Sequence, residues 1–149
     1  MAVNPVPAGY HTVTPYLTVP DARKEIEFLK QAFGAKTTEA LHEDADGAIR
    51  HAELKIGDSM IMMGQARDQW KARQASFYLY VPDCDAWYKR ALEAGGKSIM
   101  QPANQFYGDR HGAVEDAAGN QWWIATHIED VSPEEMERRA QVAFAAESK

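Results

Sequence analysis

Apolar and polar residues alternate from Val13 to Val19 and again from Ser76 to Val81. This is the two-residue period of a strand with one buried face. A Pro-Asp pair closes each run, and Asp21 or Asp83 then stands where a helix N-cap belongs. Behind the first cap, Ala22, Ile26, Leu29 and Phe33 recur at helical spacing, so one stripe of a helix is buried, and Gly34 supplies its left-handed stop. Behind the second, a helix over Asp85–Ala94 carries Ala86, Tyr88, Ala91 and Leu92 and stops at Gly95. Three strands follow each helix. The first set spans about Thr37–Leu41, Ile49–Ile56 and Ser59–Met63, with turns at Asp46-Gly47 and Gly57-Asp58. The second spans about Lys97–Met100, Gly112–Glu115 and Gln121–Thr126, with a hairpin at Ala118-Gly119-Asn120. A last helix begins at Ser132-Pro133-Glu134-Glu135, a cap, a first-turn proline and a capping-box glutamate, and carries Met136, Ala140, Ala143 and Phe144 on one stripe.

The chain repeats itself. Pro15-Tyr16-Leu17-Thr18-Val19-Pro20-Asp21 recurs 62 residues later as Phe77-Tyr78-Leu79-Tyr80-Val81-Pro82-Asp83. Gly34-Ala35-Lys36 matches Gly95-Gly96-Lys97, Glu53 matches Glu115, and Gly57-Asp58 matches Gly119-Asn120. Several landmarks in one register imply an α+β fold of two βαβββ modules, about 12–66 and 75–128, in a single domain over 1–149, with a C-terminal helix over about 132–147. One small sheet and one helix cannot close a core alone. The expectation is a curved, mixed but mostly antiparallel sheet surface with helices outside and a ligand-sized hollow between the modules.

Composition narrows the function. The 149 residues carry a formal net charge of −6 with no Lys/Arg cluster, which argues against nucleic-acid binding and against docking on an anionic membrane. The single cysteine, Cys84, excludes an intramolecular disulfide and a cysteine-rich zinc site. It starts a helix, where a dipole lowers a thiol pKa, yet its repeat partner Ala22 lies on the buried stripe, which fits an inert packed thiol. The opening Met1-Ala2-Val3-Asn4-Pro5-Val6-Pro7 lacks the basic and apolar regions of a signal peptide, and no apolar run is long enough to span a bilayer. A cytoplasmic location is expected.

Two βαβββ copies with this pattern resemble the vicinal oxygen chelate superfamily, which includes glyoxalase I, extradiol dioxygenases, fosfomycin-resistance enzymes and bleomycin-resistance proteins. Tyr16-Leu17-Thr18-Val19-Pro20-Asp21 with Ala32-Phe33-Gly34-Ala35 is similar to the opening of its small bacterial glyoxalase-like members. Tyr107-Gly108-Asp109-Arg110-His111-Gly112, Glu115-Asp116, Gly119-Asn120 and the stretch Thr126–Glu135 are similar to their closing segment. The likeness runs from about residue 12 to about 138. It implies a homodimer, with the C-terminal stripe as support, and a metal site with ligands on the first and last strand of each module.

Aligned on that pattern, the ligand positions fall at Thr14, Ile61, Ser76 and Trp123, none a competent His, Glu or Gln. No cofactor is expected. The alternative is a divalent metal held by a displaced set drawn from His51, Glu53, His111, Glu115 and His127, serving a lyase, isomerase or dioxygenase. His51 and Glu53 lie two apart on one strand face, as a metal pair would; equally, they are two polar neighbours beside a turn. Glu53 is also the candidate base of a metal-free enzyme.

Alternation from these positions turns Tyr16, Thr18, Tyr78, Tyr80, Gln121 and Trp123 into the hollow, with Ser59 and Met63 following Ile61. Rings there would stack on a flat or cationic compound, or simply fill a core. Trp122 points the other way, beneath the helices. Trp70, in the polar linker Gln65–Gln74, either closes over the pocket, meets a second subunit or is tucked in. Phe106 and Tyr107 sit in a loop with Arg110, whose fork could hold a carboxylate or phosphate or knit the loop to its neighbours. The sequence thus points to a metal-free protein of the glyoxalase/bleomycin-resistance type that sequesters a small aromatic or cationic compound.

Overall fold

A computed structural model describes residues 2–148. In chain order its elements are β1 (Tyr16–Val19), α1 (Ala22–Phe33), β2 (Lys36–Thr37), β3 (His42–Glu43), β4 (Ile49–Ile56), β5 (Ser59–Gln65), β6 (Ser76–Tyr80), α2 (Cys84–Glu93), β7 (Lys97–Asn104), β8 (Asp109–Glu115), β9 (Gln121–His127) and α3 (Pro133–Glu147). The architecture is α+β, two copies of the expected module and a C-terminal helix. Each module has its own sheet. The first runs β1-β5-β4-β2, with β3 also on β4, and the second runs β6-β9-β8-β7. In both, the first strand lies parallel to the last, while the remaining pairs are antiparallel.

The helices start where the side chains dictate. Asp21 and Asp83 each accept a hydrogen bond at 3.1 Å from the backbone three residues on, at Lys24 N and Ala86 N, satisfying a donor the helix itself leaves free. Gly34 ends α1 at φ 65°, a conformation that costs a side chain but not glycine. Ser132 caps α3 in the same way, through Glu135 N. The strand expected over Thr37–Leu41 is broken into β2 and β3, whereas β5, β7 and β8 run longer than their sequence patterns indicate.

One apolar cluster joins the modules, because α1 and α2 pack side by side across the seam. Phe33 of α1 stacks on Trp87 of α2, ring centroids 5.8 Å apart, and tilts onto Trp122 of β9 at 5.3 Å. Trp122 in turn stacks on Phe77 of β6 at 4.4 Å. Cutting Phe33 to Ala would remove a ring shared by both halves, at a cost of about 3–5 kcal/mol. Each sheet therefore spends one face on this core. On β1, Leu17 and Val19 are buried while Tyr16 and Thr18 face outward; on β6, Phe77 and Leu79 face the core while Ser76, Tyr78 and Tyr80 are exposed. The two outward faces remain for function. Among the described residues no helix is long and apolar enough to cross a membrane.

Candidate functional site

On the first sheet's open face, Met62 pairs with Tyr16 on one side and Glu53 on the other, so these three side chains share a face. His51 lies two residues before Glu53 and joins them. The Tyr16 hydroxyl is 3.3 Å from His51 Nδ1, and His51 Nε2 is 3.2 Å from Glu53 Oε2. The ring of Tyr16 can lie down only because residue 64 is glycine. A Cβ there would come within 2.9 Å of the Tyr16 hydroxyl and 2.8 Å of the Arg50 carbonyl oxygen.

Beside this chain of polar groups lies a groove of about 500 Å³, walled by Tyr16, Thr18, Arg50, Gly64, Arg67 and Trp70 among others. Arg67 and Trp70 face each other across a tight turn, each backbone N–H donating to the other's carbonyl at 2.8 and 2.7 Å. Asp68 in that turn adopts φ 43°, a left-handed conformation that aspartate tolerates better than most residues. Opposed residues of such a bridge project to the same side, which sets indole and guanidinium together at the groove mouth.

The second sheet's open face is organised around Asp109, only 3% exposed. Its Oδ2 accepts from the Tyr78 hydroxyl at 2.8 Å and the Tyr80 hydroxyl at 3.0 Å, and its Oδ1 lies 2.9 Å from His127 Nδ1. Burial alone would push the Asp109 carboxyl up. The hydrogen bonds from His127, Tyr78 and Tyr80 outweigh it and hold the carboxyl below the usual carboxylate range. Hydrogen bonding to Asp109 and Asp130 raises the His127 pKa in turn. Next along the face, His111 is boxed by Tyr78, Tyr107 and Trp123, with ring centroids 5.8, 6.1 and 5.4 Å away. Its Nε2 meets the Tyr107 hydroxyl at 2.7 Å, its buried Nδ1 has no partner among the described residues, and burial lowers its pKa, which favours the neutral ring.

The structure sorts the sequence candidates. Tyr16 and Trp70 share one groove, which has none of Tyr78, Tyr80 and Trp123 on its walls. Tyr78, Tyr80, Tyr107 and Trp123 gather on the other sheet with His111. Gln121 lies at the edge of that face, its Oε1 3.4 Å from the hydroxyl of Ser76. Thr14 precedes β1, and its hydroxyl donates to the His11 carbonyl at 3.4 Å.

Ile61 is a correction. It is 5% exposed in the core with Met63, and Met62 takes the outward position. The cause is hairpin length: the turn between β8 and β9 is longer than that between β4 and β5, and a one-residue miscount flips a strand residue to the opposite face. The same register pairs Lys36 with Lys55 in module one and Lys97 with Glu115 in module two, so Lys55, not Glu53, is the counterpart of Glu115; His51 and His111 are equivalent positions. Arg110 turns to the helix side and forks onto Asp85 at 2.8 and 3.0 Å. Phe106 packs edge-on against Phe144 of α3, ring centroids 5.7 Å apart. Asp109 is the residue sequence reasoning missed. Counting β8 back from Ala113, the partner of Trp123, puts it on the open face, provided the strand is allowed to start in the loop.

Could these residues hold a metal? The family-style positions offer Thr14, Met62, Ser76 and Trp123, and among the described residues no three His, Cys, Asp or Glu side chains gather closely enough for an ion. His51 and Glu53 form a pair without a third donor, and His111 is enclosed by rings. The donor set does not fit a catalytic metal.

Residues 10–124 match the family model described as Glyoxalase/Bleomycin resistance protein/Dioxygenase superfamily. The chain is 30% identical over 148 residues to an uncharacterized protein of Mycobacterium bovis, Mb0911c, covering 92% of this chain and 94% of that one. It is similar in structure to TioX from Micromonospora sp. ML1, with a TM-score of 0.68 at 22% identity over 79% of this chain and 99% of that one. It is likewise similar to a glyoxalase-related enzyme from Fulvimarina pelagi, with a TM-score of 0.62 at 16% identity over 78% and 87%.

Proposed function

Since the chain belongs to the glyoxalase/bleomycin resistance protein/dioxygenase superfamily, we propose that it is a metal-free binding protein of that superfamily, sequestering a small aromatic compound in the groove between Tyr16 and Trp70. The observation that carries this reading is the groove itself. A hollow of about 500 Å³ is a fair size for a small organic ligand, and two rings on its walls supply stacking surfaces. Trp70 is 58% exposed, an arrangement that leaves an indole in water unless something covers it. The donor chemistry supports the metal-free part of the reading, since threonine, serine, methionine and tryptophan hold the places a divalent ion would use.

Calorimetric titration with a panel of planar aromatic compounds tests it, using the wild type and Trp70→Ala. Saturable heats that the substitution weakens are expected. A panel without one saturable isotherm counts against sequestration, and stoichiometric zinc, nickel, manganese or iron in the purified protein would count for the metal-dependent lyase, isomerase or dioxygenase instead.

One observation favours a second reading, an enzyme working by acid–base chemistry. Tyr16, His51 and Glu53 form a continuous hydrogen-bonded chain that reaches the groove wall at Tyr16. In this reading Glu53 orients His51, and His51 moves a proton through the Tyr16 hydroxyl. Glu53→Gln would then lower turnover on any substrate found, by about tenfold or more; equal turnover removes the reading.

A further inference from the structure

We infer that the groove selects aromatic compounds bearing an acidic group, a carboxylate or similar anion, over neutral or cationic ones. This deepens the binding reading above and rests on the groove being the ligand site. The argument is the charge on its walls. Arg50 and Arg67 both line it, and no Asp or Glu does among the described residues. Arg50 is already engaged by Asp44. Arg67 has no ion-pair or side-chain hydrogen-bond partner among the described residues; Arg73 and Arg90 share that state, but of the three only Arg67 lines the groove.

The setting reinforces this. The segment 66–74 runs along β1, with Ala66 N donating to the Val19 carbonyl at 2.8 Å and Arg73 N to the Thr18 carbonyl at 3.1 Å. It carries Arg67, Lys71 and Arg73 against Asp68 alone, a net charge of +2 in a chain of −6. A local excess of positive charge beside a half-enclosed apolar wall draws anions and repels cations. The Arg67–Trp70 bridge then places a stacking face and a planar two-pronged donor on the same side of one turn, which suits an aromatic ring and its attached carboxylate taken together. Gly64 lets the Tyr16 ring lie against the sheet, so that ring forms a second flat wall of the groove.

Three probes of one shape separate charge from ring: 2-naphthoate, 2-naphthylmethanol and 2-naphthylmethylammonium. Each is titrated calorimetrically into the wild type, Arg67→Gln and Trp70→Ala. Naphthoate is expected to bind about tenfold more tightly than the alcohol, with the ammonium compound weakest. Arg67→Gln should erase that preference, bringing naphthoate down to the affinity of the alcohol, and Trp70→Ala should weaken all three. Should the alcohol or the ammonium compound match naphthoate, or the preference survive in Arg67→Gln, the anion inference is overturned while Trp70-dependent binding keeps the binding reading. Should none of the three bind, or Trp70→Ala weaken none, both fall together.

Discussion

At the residue scale the molecule hides one carboxyl that matters for its stability. Glu25, on α1, is 3% exposed at the seam between the modules, and its Oε1 has no hydrogen-bond partner among the described residues. Burial, with Asp116 adjoining, raises its pKa from 4.5 to about 9. Folded, it is a neutral acid; unfolded, it ionises near the ordinary value. The unfolded chain therefore holds fewer protons between those limits, so the stabilising state of Glu25 is fully available below about pH 4.5 and is lost as pH rises toward 9. Glu25→Gln keeps the shape without the proton. Melting curves at pH 5, 7 and 9 should show the wild type losing Tm more steeply than this variant, and 1 kcal/mol moves Tm by about 2–4 °C at this size. Parallel slopes would show that Glu25 is not the group responsible. Cys84 gives a simpler case. It is buried, burial raises its pKa, and of the two readings open in the sequence the inert thiol is the one its surroundings support.

At the scale of elements, glycine positions decide where segments may touch. Gly108 precedes β8 at φ 96°, and its carbonyl accepts from Ile128 N at 2.8 Å and Glu129 N at 3.1 Å. A Cβ there would sit 2.2 Å from the Glu129 carbonyl oxygen. That contact moors the segment leading into α3, which Arg139 also ties down through Glu129 and the Phe106 carbonyl. Gly108→Ala should cost about 2 kcal/mol or more, combining backbone strain with a clash. It should also speed protease cleavage between β9 and α3. Gly47→Ala, with a similar positive φ but open space around it, is the control and should leave that cleavage rate unchanged.

The same scale explains what the sequence could convey. Strand alternation and the Pro-Asp caps give both modules, because each is a local rule written into neighbouring residues. The open-face rings Tyr16, Tyr78 and Tyr80 follow from the same period. What fails is whatever depends on pairing between strands. The facing of Ile61 depends on a turn of two residues in module one where module two has five. Asp109 lay hidden in a stretch that reads as loop until its partner strand extends it. The Arg67–Trp70 bridge depends on a turn through a left-handed aspartate, for which the linker composition gives no signal.

At the scale of the whole molecule, the chain has more surface than its mass calls for. A compact monomer of 16.7 kDa exposes about 7,600 Å², whereas this chain exposes 9559 Å². Part of the excess belongs to the N-terminal segment and to α3, which buries no residue of its own. The open sheet faces also contribute, with Tyr16, Tyr78 and Tyr80 at 53, 42 and 66% exposure. Within one chain the helices take up the inner sides of both sheets, so neither open face has a sheet opposite it. A second copy laid face to face would supply one, at a burial of the order of 1,600 Å² that stable pairs need. On this argument sedimentation at micromolar concentration should return a homodimer. Tyr80→Lys, which puts a charge on the exposed face without entering the core, should shift it toward monomer with the fold intact by circular dichroism. A wild-type monomer at tens of micromolar would mean that the open faces are simply solvated, and that the groove of one chain is the entire site.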